Sequence, residues 1–108
     1  MQEQDRVRVE VVRSGGFAGL TRAAAMDTAE LDGERAEQLR KLVDESQPQS
    51  LTSTPPGSGA ADRFQYDITV TRGNHRTSVV LNESNMPDAA RRLVRWVLQG
   101  ASQRSGGR

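Results

Sequence analysis

The sequence has 108 residues, enough for one small domain, and its 15 basic and 14 acidic side chains give a net charge of +1. A charge this close to zero provides no global attraction to nucleic acids or to anionic membranes. The chain has no cysteine, which excludes disulfides, zinc–thiolate clusters and a cysteine nucleophile, and its single histidine, His75, excludes any site with two histidine ligands.

The chain has no apolar run long enough to span a membrane, and its first six residues lack the basic and then apolar order of a secretory signal. We therefore expect a cytoplasmic protein that has no membrane partner and binds no cofactor. We also expect it to be a monomer when free.

The first half of the chain predicts a hairpin. Residues 6–13 alternate with period two and place Val7, Val9 and Val11 on one face, a pattern typical of a half-buried strand that Ser14 then ends. Residues 20–28 predict a weaker strand, because alanine has little β propensity, and the short connection favours pairing of the two.

A helix follows over 33–45, with Asp32 as its N-cap and one apolar stripe. The stripe consists of Ala36, Leu39, Leu42 and Val43. The helix is predicted to end at Gln47-Pro48, and residues 47–61, rich in Ser, Pro, Gly, Thr and Gln, predict a mobile loop.

The second half repeats the order of strand, strand and helix. Residues 63–71 and 76–82 predict strands joined by a turn at 72–75. A last helix is predicted over 87–99, ended by Gly100, with a disordered tail at 101–108. Its buried stripe consists of Ala90, Leu93, Val94 and Val97.

Each strand has one apolar face and each helix one apolar stripe, which two layers bury together. We therefore predict an α+β fold of order β-β-α-β-β-α, with a four-stranded antiparallel sheet and both helices on one face. Residues 1–100 form its single domain.

The sequence argues against catalysis. His75 follows Asn74 in a predicted turn, where side chains are usually solvated, and the acid pairs Asp27/Glu30 and Asp32/Glu34 are typical of helix starts. The run Ser14-Gly15-Gly16 has neither the G-x-S-x-G context of a nucleophile nor the Gly-Lys-Ser/Thr of a phosphate loop. We expect no enzyme activity and no metal site.

The last helix offers a different function. Arg91, Arg92 and Arg95 form a basic face that would suit nucleic-acid phosphates or a docking protein. The near-zero net charge favours a solvated helix face instead, and we expect no nucleic-acid partner.

The most distinctive segment is the glycine-rich connection between the first two strands. It contains three glycines in five residues together with two large apolar side chains, and Arg13 precedes it. The segment consists of Ser14, Gly15, Gly16, Phe17, Ala18, Gly19 and Leu20. Either Phe17 folds back into a small core, or the segment presents Phe17 or Leu20 to a partner's apolar pocket.

Three stretches carry a resemblance to a known family. They are the run from Ser14 to Gly19, the run Ala61-Asp62-Arg63-Phe64-Gln65-Tyr66 and the helical run Arg-Leu-Val-Arg-Trp-Val-Leu at 92–98. Over residues 6–98 the chain resembles the emfourins, small proteinaceous inhibitors of protealysin, a thermolysin-like zinc metalloprotease.

The resemblance implies a cytoplasmic inhibitor that occludes the active-site cleft of such a protease. Residues 14–20 would make the contact, and Arg13 and Ser14 would hold the entry to the segment. Thermolysin-like enzymes favour a bulky apolar residue just after the scissile bond, which Phe17 or Leu20 would supply. Coordination of the protease zinc by a carboxylate, by His75, by a backbone carbonyl or by the terminal amine stays open beside steric occlusion.

Overall fold

The computed structural model describes residues 6–15, 21–53 and 64–106, the last six of these by their backbone alone. Four strands and two α-helices follow the predicted order. They are β1 (Val7–Gly15), β2 (Arg22–Asp27), α1 (Gly33–Ser46), β3 (Phe64–Arg72), β4 (His75–Asn82) and α2 (Asp88–Gly106).

The strands form one antiparallel sheet in the order β2-β1-β3-β4. β1 pairs with β2 from Arg8 opposite Asp27 to Arg13 opposite Arg22, and β3 pairs with β4 across the two-residue turn Gly73–Asn74. Gly73 adopts a φ of 58°, which favours glycine at this turn. Both predicted hairpins are confirmed, and β1 and β3 join them at the centre of the sheet.

The core lies between one face of the sheet and the two helices. Val7, Val9 and Val11 are fully buried, as the period-two pattern predicts, and they share one apolar cluster with Leu39 of α1 and Leu93 of α2. The predicted fold, an α+β sheet with both helices on one face, is therefore confirmed.

The bounds of the first hairpin differ from the prediction. Ser14 and Gly15 do not end β1, because β3 continues alongside and pairs them with Gln65 and Phe64. β2 ends at Asp27, whose carboxylate accepts a hydrogen bond from the Ala29 backbone N–H and starts a short 3-10 turn.

α1 begins where it was predicted to begin. The Asp32 carboxylate accepts the Arg35 backbone N–H at 2.9 Å, and the helix ends at Ser46, followed by Gln47 in the left-handed region at φ 47°. Within the predicted loop 47–61, a 3-10 turn begins at Pro48, which is buried. Residues 54–61 lie outside the described ranges, and the mobility of this loop stays a prediction.

The predicted end of α2 at Gly100 is wrong, because the helix continues to Gly106. Gly100 is buried, and a Cβ atom there would overlap the Cε atom of Met26 in β2. The residue therefore allows α2 to lie close to the sheet instead of capping the helix. The disordered tail at 101–108 stays a prediction.

The start of β1 is joined to the end of β2 by paired polar groups. The Arg6 guanidinium donates to the Asp27 carboxylate at 2.7 Å, and the Val7 backbone N–H donates to the Thr28 hydroxyl at 3.0 Å. The hydrogen bond from Arg6, with further help from the Ala29 N–H and the charge of Arg8, holds the pKa of Asp27 below its usual 3.8 against the opposing effect of burial.

Among the described residues, neither helix is long and apolar enough to cross a membrane.

Candidate functional site

The chain leaves the sheet for the glycine-rich segment and returns to it at one end of the sheet. Ser14 and Gly15 are the last residues of β1, and the chain enters the sheet again at Arg22. Gly16, Phe17, Ala18, Gly19 and Leu20 lie outside the described residues, so the predicted contact made by these five stays a prediction.

Aromatic and arginine side chains surround the point where β1 ends. On the helix-covered face of the sheet, Arg13 lies opposite Arg22 of β2 and Tyr66 of β3. The Arg13 guanidinium lies over the Phe64 ring, 4.4 Å from its centroid, and the Phe64 and Tyr66 rings meet edge to face at 6.5 Å. The end of β1 is therefore flanked by β2 on one side and by β3 on the other before the chain leaves the sheet.

A cleft of about 350 Å³ opens between this end of the sheet and α2. Because Arg91 and Arg95 are four residues apart on α2, they lie on the same side of the helix, and both line the cleft. Its other basic residues are Arg13 and Arg22, and we refer to it as the arginine cleft. The rest of the lining consists of Phe64, Tyr66, Glu83, Met86, Val94, Leu98 and Gln99.

Two of the four arginines are held by backbone carbonyl groups. Arg22 donates to the Leu98 carbonyl at 2.9 Å and thereby ties β2 to α2. Arg91 donates to the carbonyls of Glu83 and Met86 at 3.2 and 3.3 Å. These two arginines fix the walls of the arginine cleft to each other.

The other two arginines have hydrogen-bonding capacity to spare. Within the described ranges, the buried Nε of Arg13 has no hydrogen-bond partner, and Arg95 is exposed and takes part in no ion pair. Among the described residues of the lining Glu83 is the one acidic side chain, and its carboxylate accepts the Phe64 backbone N–H at 2.9 Å. The described lining of the cleft therefore has an excess of positive charge and unused donors.

The predicted arginine face of the last helix does not form a single surface. Arg92 lies on the side of α2 that faces α1, 3.9 Å from the Glu45 carboxylate, while Arg91 and Arg95 line the arginine cleft. The described structure therefore divides the three arginines between two sides of the helix.

Two of the carboxylates considered for catalysis make structural contacts. Asp27 is held by Arg6, and Asp32 caps α1. His75 is exposed, as predicted, at the start of β4. The described part of the chain contains no group of three His, Asp or Glu side chains that would hold a metal ion.

Sequence reasoning assigned Arg13 to the entry of the glycine-rich segment and treated the arginines of α2 as an alternative surface. It did not predict that Arg13 and Arg22 line one cleft with residues of α2. The signal was present in β1, where Val7, Val9, Val11 and Arg13 occupy successive positions on one face. A charged residue that continues a buried stripe marks the place where the core opens to solvent.

Two of three comparisons relate the chain to known proteins. The family model named Emfourin matches residues 11–98. Among solved structures, the chain is similar to emfourin (M4in) from Serratia proteamaculans, an M4 family peptidase inhibitor. The two share 19% sequence identity with a TM-score of 0.50, over 92% of this chain and 91% of the other. This likeness shows a shared fold. A search of curated proteins gives no match. Because the family model covers most of the sequence, this chain belongs to the emfourin family.

Proposed function

We propose that this chain inhibits a thermolysin-like zinc metalloprotease of the M4 family, of the protealysin type, by occluding its active-site cleft with residues 14–20. The match of the Emfourin family model over residues 11–98 carries the proposal, because that range contains the whole segment. Members of the family are peptidase inhibitors and not enzymes, in agreement with the expectation drawn from composition.

The anchoring of the segment supports an inhibitory role. Before the segment, β3 pairs with β1 as far as Gly15. After it, the Arg22 side chain donates a hydrogen bond to the Leu98 carbonyl. A segment whose two ends are fixed loses less conformational entropy on binding than a free peptide, and this favours tight association. Phe17 and Leu20 are the large apolar side chains that such a segment would offer to the protease.

Enzyme titration tests the proposal directly. We expect hydrolysis of a peptide substrate by an M4 protease to fall as the purified chain is added, with kinetics competitive with substrate. Phe17→Ala should raise the inhibition constant at least tenfold, about 1.4 kcal/mol, because the variant loses an apolar anchor.

Val12→Ala is the matched control. Val12 lies near the same end of β1 but is 38% exposed on the open face of the sheet, so its truncation should leave inhibition unchanged. Undiminished hydrolysis at micromolar excess of the wild-type chain would refute the function. Early melting of Phe17→Ala with normal inhibition in the cold would assign Phe17 to the core and refute the contact.

A further inference from the structure

The arginine cleft borders the segment proposed to contact the protease. Arg13 lies two residues before the last residue of β1, and Arg22 is the first residue of β2. Residues that flank the segment on both sides therefore line the cleft. A protease–inhibitor interface buries about 800 Å² on each partner, roughly an eighth of the 6850 Å² surface of this chain. An interface of that size usually takes about 20–30 residues on each side, more than the seven of the segment, and the cleft lies next to the residues that flank it.

The guanidinium groups that line the cleft provide donors for an oxyanion. Arg22 and Arg91 each donate from one guanidinium nitrogen to backbone carbonyls, whereas Arg13 and Arg95 donate no side-chain hydrogen bond to any described residue. Leaving a buried donor such as the Arg13 Nε without an acceptor is unfavourable, and a bound anion would remove that cost. Guanidinium groups match the geometry of a carboxylate and form strong charge-assisted hydrogen bonds with it.

The rest of the lining selects the kind of anion. Phe64, Met86, Val94 and Leu98 bring apolar surface into the cleft beside the arginines. Apolar walls next to a cationic group suit a carboxylate carried on methylene groups, whereas a compact phosphate has no apolar part to bury. The volume of about 350 Å³ accommodates one side chain of this type.

We propose that the arginine cleft binds the carboxylate of an acidic side chain on the target protease, with Arg13 and Arg95 as its donors. This inference rests on the proposed function for the identity of the partner and on the described side chains for its chemistry. It assigns the cleft a role in choosing among M4 proteases, because an enzyme without an acidic residue at this place would lose the contact.

Inhibition by charge-removing variants tests the contact. Arg13→Gln combined with Arg95→Gln should raise the inhibition constant at least tenfold at 50 mM salt, and the effect should shrink at 500 mM salt because exposed charges are screened. Arg95→Gln alone should give a several-fold rise, and it keeps the contact of Arg13 with Phe64 intact. Arg92→Gln removes the same charge from the other side of α2 and should leave inhibition within twofold of wild type.

A ligand titration that needs no protease separates the two proposals. N-acetylglutamate N-methylamide should shift the NMR signals of the cleft residues in a saturable manner, and the effect should be lost in the double variant. The glutamine analogue should shift them at least fivefold less. If the wild-type chain inhibits no M4 protease but binds this probe, the proposed function fails while the chemistry assigned to the cleft stands.

Several results would overturn the inference. The first is a double variant that inhibits as well as wild type at both salt concentrations while the wild-type chain remains an inhibitor. Equal shifts with inorganic phosphate would indicate unselective anion binding, and shifts with neither probe would exclude the site. An oligonucleotide whose binding depends on Arg13 and Arg95 would assign the cleft to nucleic acid instead.

Discussion

Arginine side chains occur at both ends of the β1–β2 hairpin, and the two ends differ in what those side chains contact. At the start of β1, Arg6 and Arg8 both lie within ion-pair distance of the Asp27 carboxylate, which is 1% exposed. At the other end, Arg13 and Arg22 line a cleft in which Glu83, the one acidic side chain among the described residues, accepts a hydrogen bond from a backbone N–H. We call the end with Arg6, Arg8 and Asp27 the paired end; the other end borders the arginine cleft.

The difference separates stability from binding. At the paired end the buried carboxylate is compensated by cations and by the Ala29 N–H, so the charge stabilises the closure of the hairpin. Among the described residues of the arginine cleft, arginines outnumber carboxylates, which does not favour folding. A cluster of this kind is typical of a surface whose counter-charge comes from a partner.

The largest expected effect comes from breaking the paired end at Asp27. Asp27→Asn should lower the free energy of unfolding at pH 7 by about 2 kcal/mol, because hydrogen bonds to a charged group contribute about 1.5–3 kcal/mol and Arg6 is half-exposed. Inhibition measured under conditions where the variant is folded should not change, since the arginine cleft lies at the other end of the hairpin.

The same variant should alter the response to acid. Because the pKa of Asp27 is held below 3.8 in the folded state, its stabilising effect is present above that pH and is lost as the pH falls through the lower folded-state value. Urea unfolding at pH 7, 5, 4 and 3 should therefore show a steeper loss for wild type than for Asp27→Asn. Parallel curves would contradict the role assigned to this carboxylate.

Periodicity predicted most of the fold, because alternation in β1 and β3 and the stripes of both helices reflect which side chains are buried. It did not locate the ends of elements that depend on distant contacts. The pairing that keeps Ser14 and Gly15 in β1 comes from Phe64 and Gln65, some fifty residues away. Gly100 resembled a helix end because glycine is common there, whereas its actual reason is the proximity of Met26.

The candidate site was predicted in part. The glycine-rich segment stood out in the sequence, and the structure places Arg13 and Arg22, which lie before and after it, in the lining of the arginine cleft. The pairing of Arg13 with Arg91 and Arg95 in one cleft depends on how α2 packs on the sheet. No local pattern encodes that packing, so the three arginines of the helix were grouped by their nearness in sequence.

A second variant tests the packing of α2 on β2 near the paired end. Gly100→Ala places a methyl group against Met26, which is fully buried. Overpacking of a core costs about 1–3 kcal/mol and alanine regains about 0.8–1 kcal/mol of helix propensity, so we expect a net loss of about 1 kcal/mol in the free energy of unfolding. Chemical denaturation measures it.

Gly33→Ala is the control for the intrinsic effect of the substitution, because a Cβ atom at Gly33 meets no atom within 4 Å. Its free energy of unfolding should stay equal or rise by up to about 0.5 kcal/mol. In a Met26→Val background the cost of Gly100→Ala should fall, since the shorter side chain vacates the contested space. Equal effects of the two alanine substitutions would show that α2 does not depend on this close approach.

The smallest effect is expected at Glu10, and it defines what makes the paired end different. Glu10 lies 3.6 Å from Arg8, but the two side chains are 45% and 41% exposed, so water and salt screen the pair. Glu10→Gln should change the free energy of unfolding by less than about 0.5 kcal/mol, with no residual change at 500 mM salt. Urea titrations of this variant beside Asp27→Asn at both salt concentrations measure the contrast. A loss at Glu10 as large as that at Asp27 would mean that the number of opposite charges, and not the burial of one carboxylate, holds this end of the hairpin together.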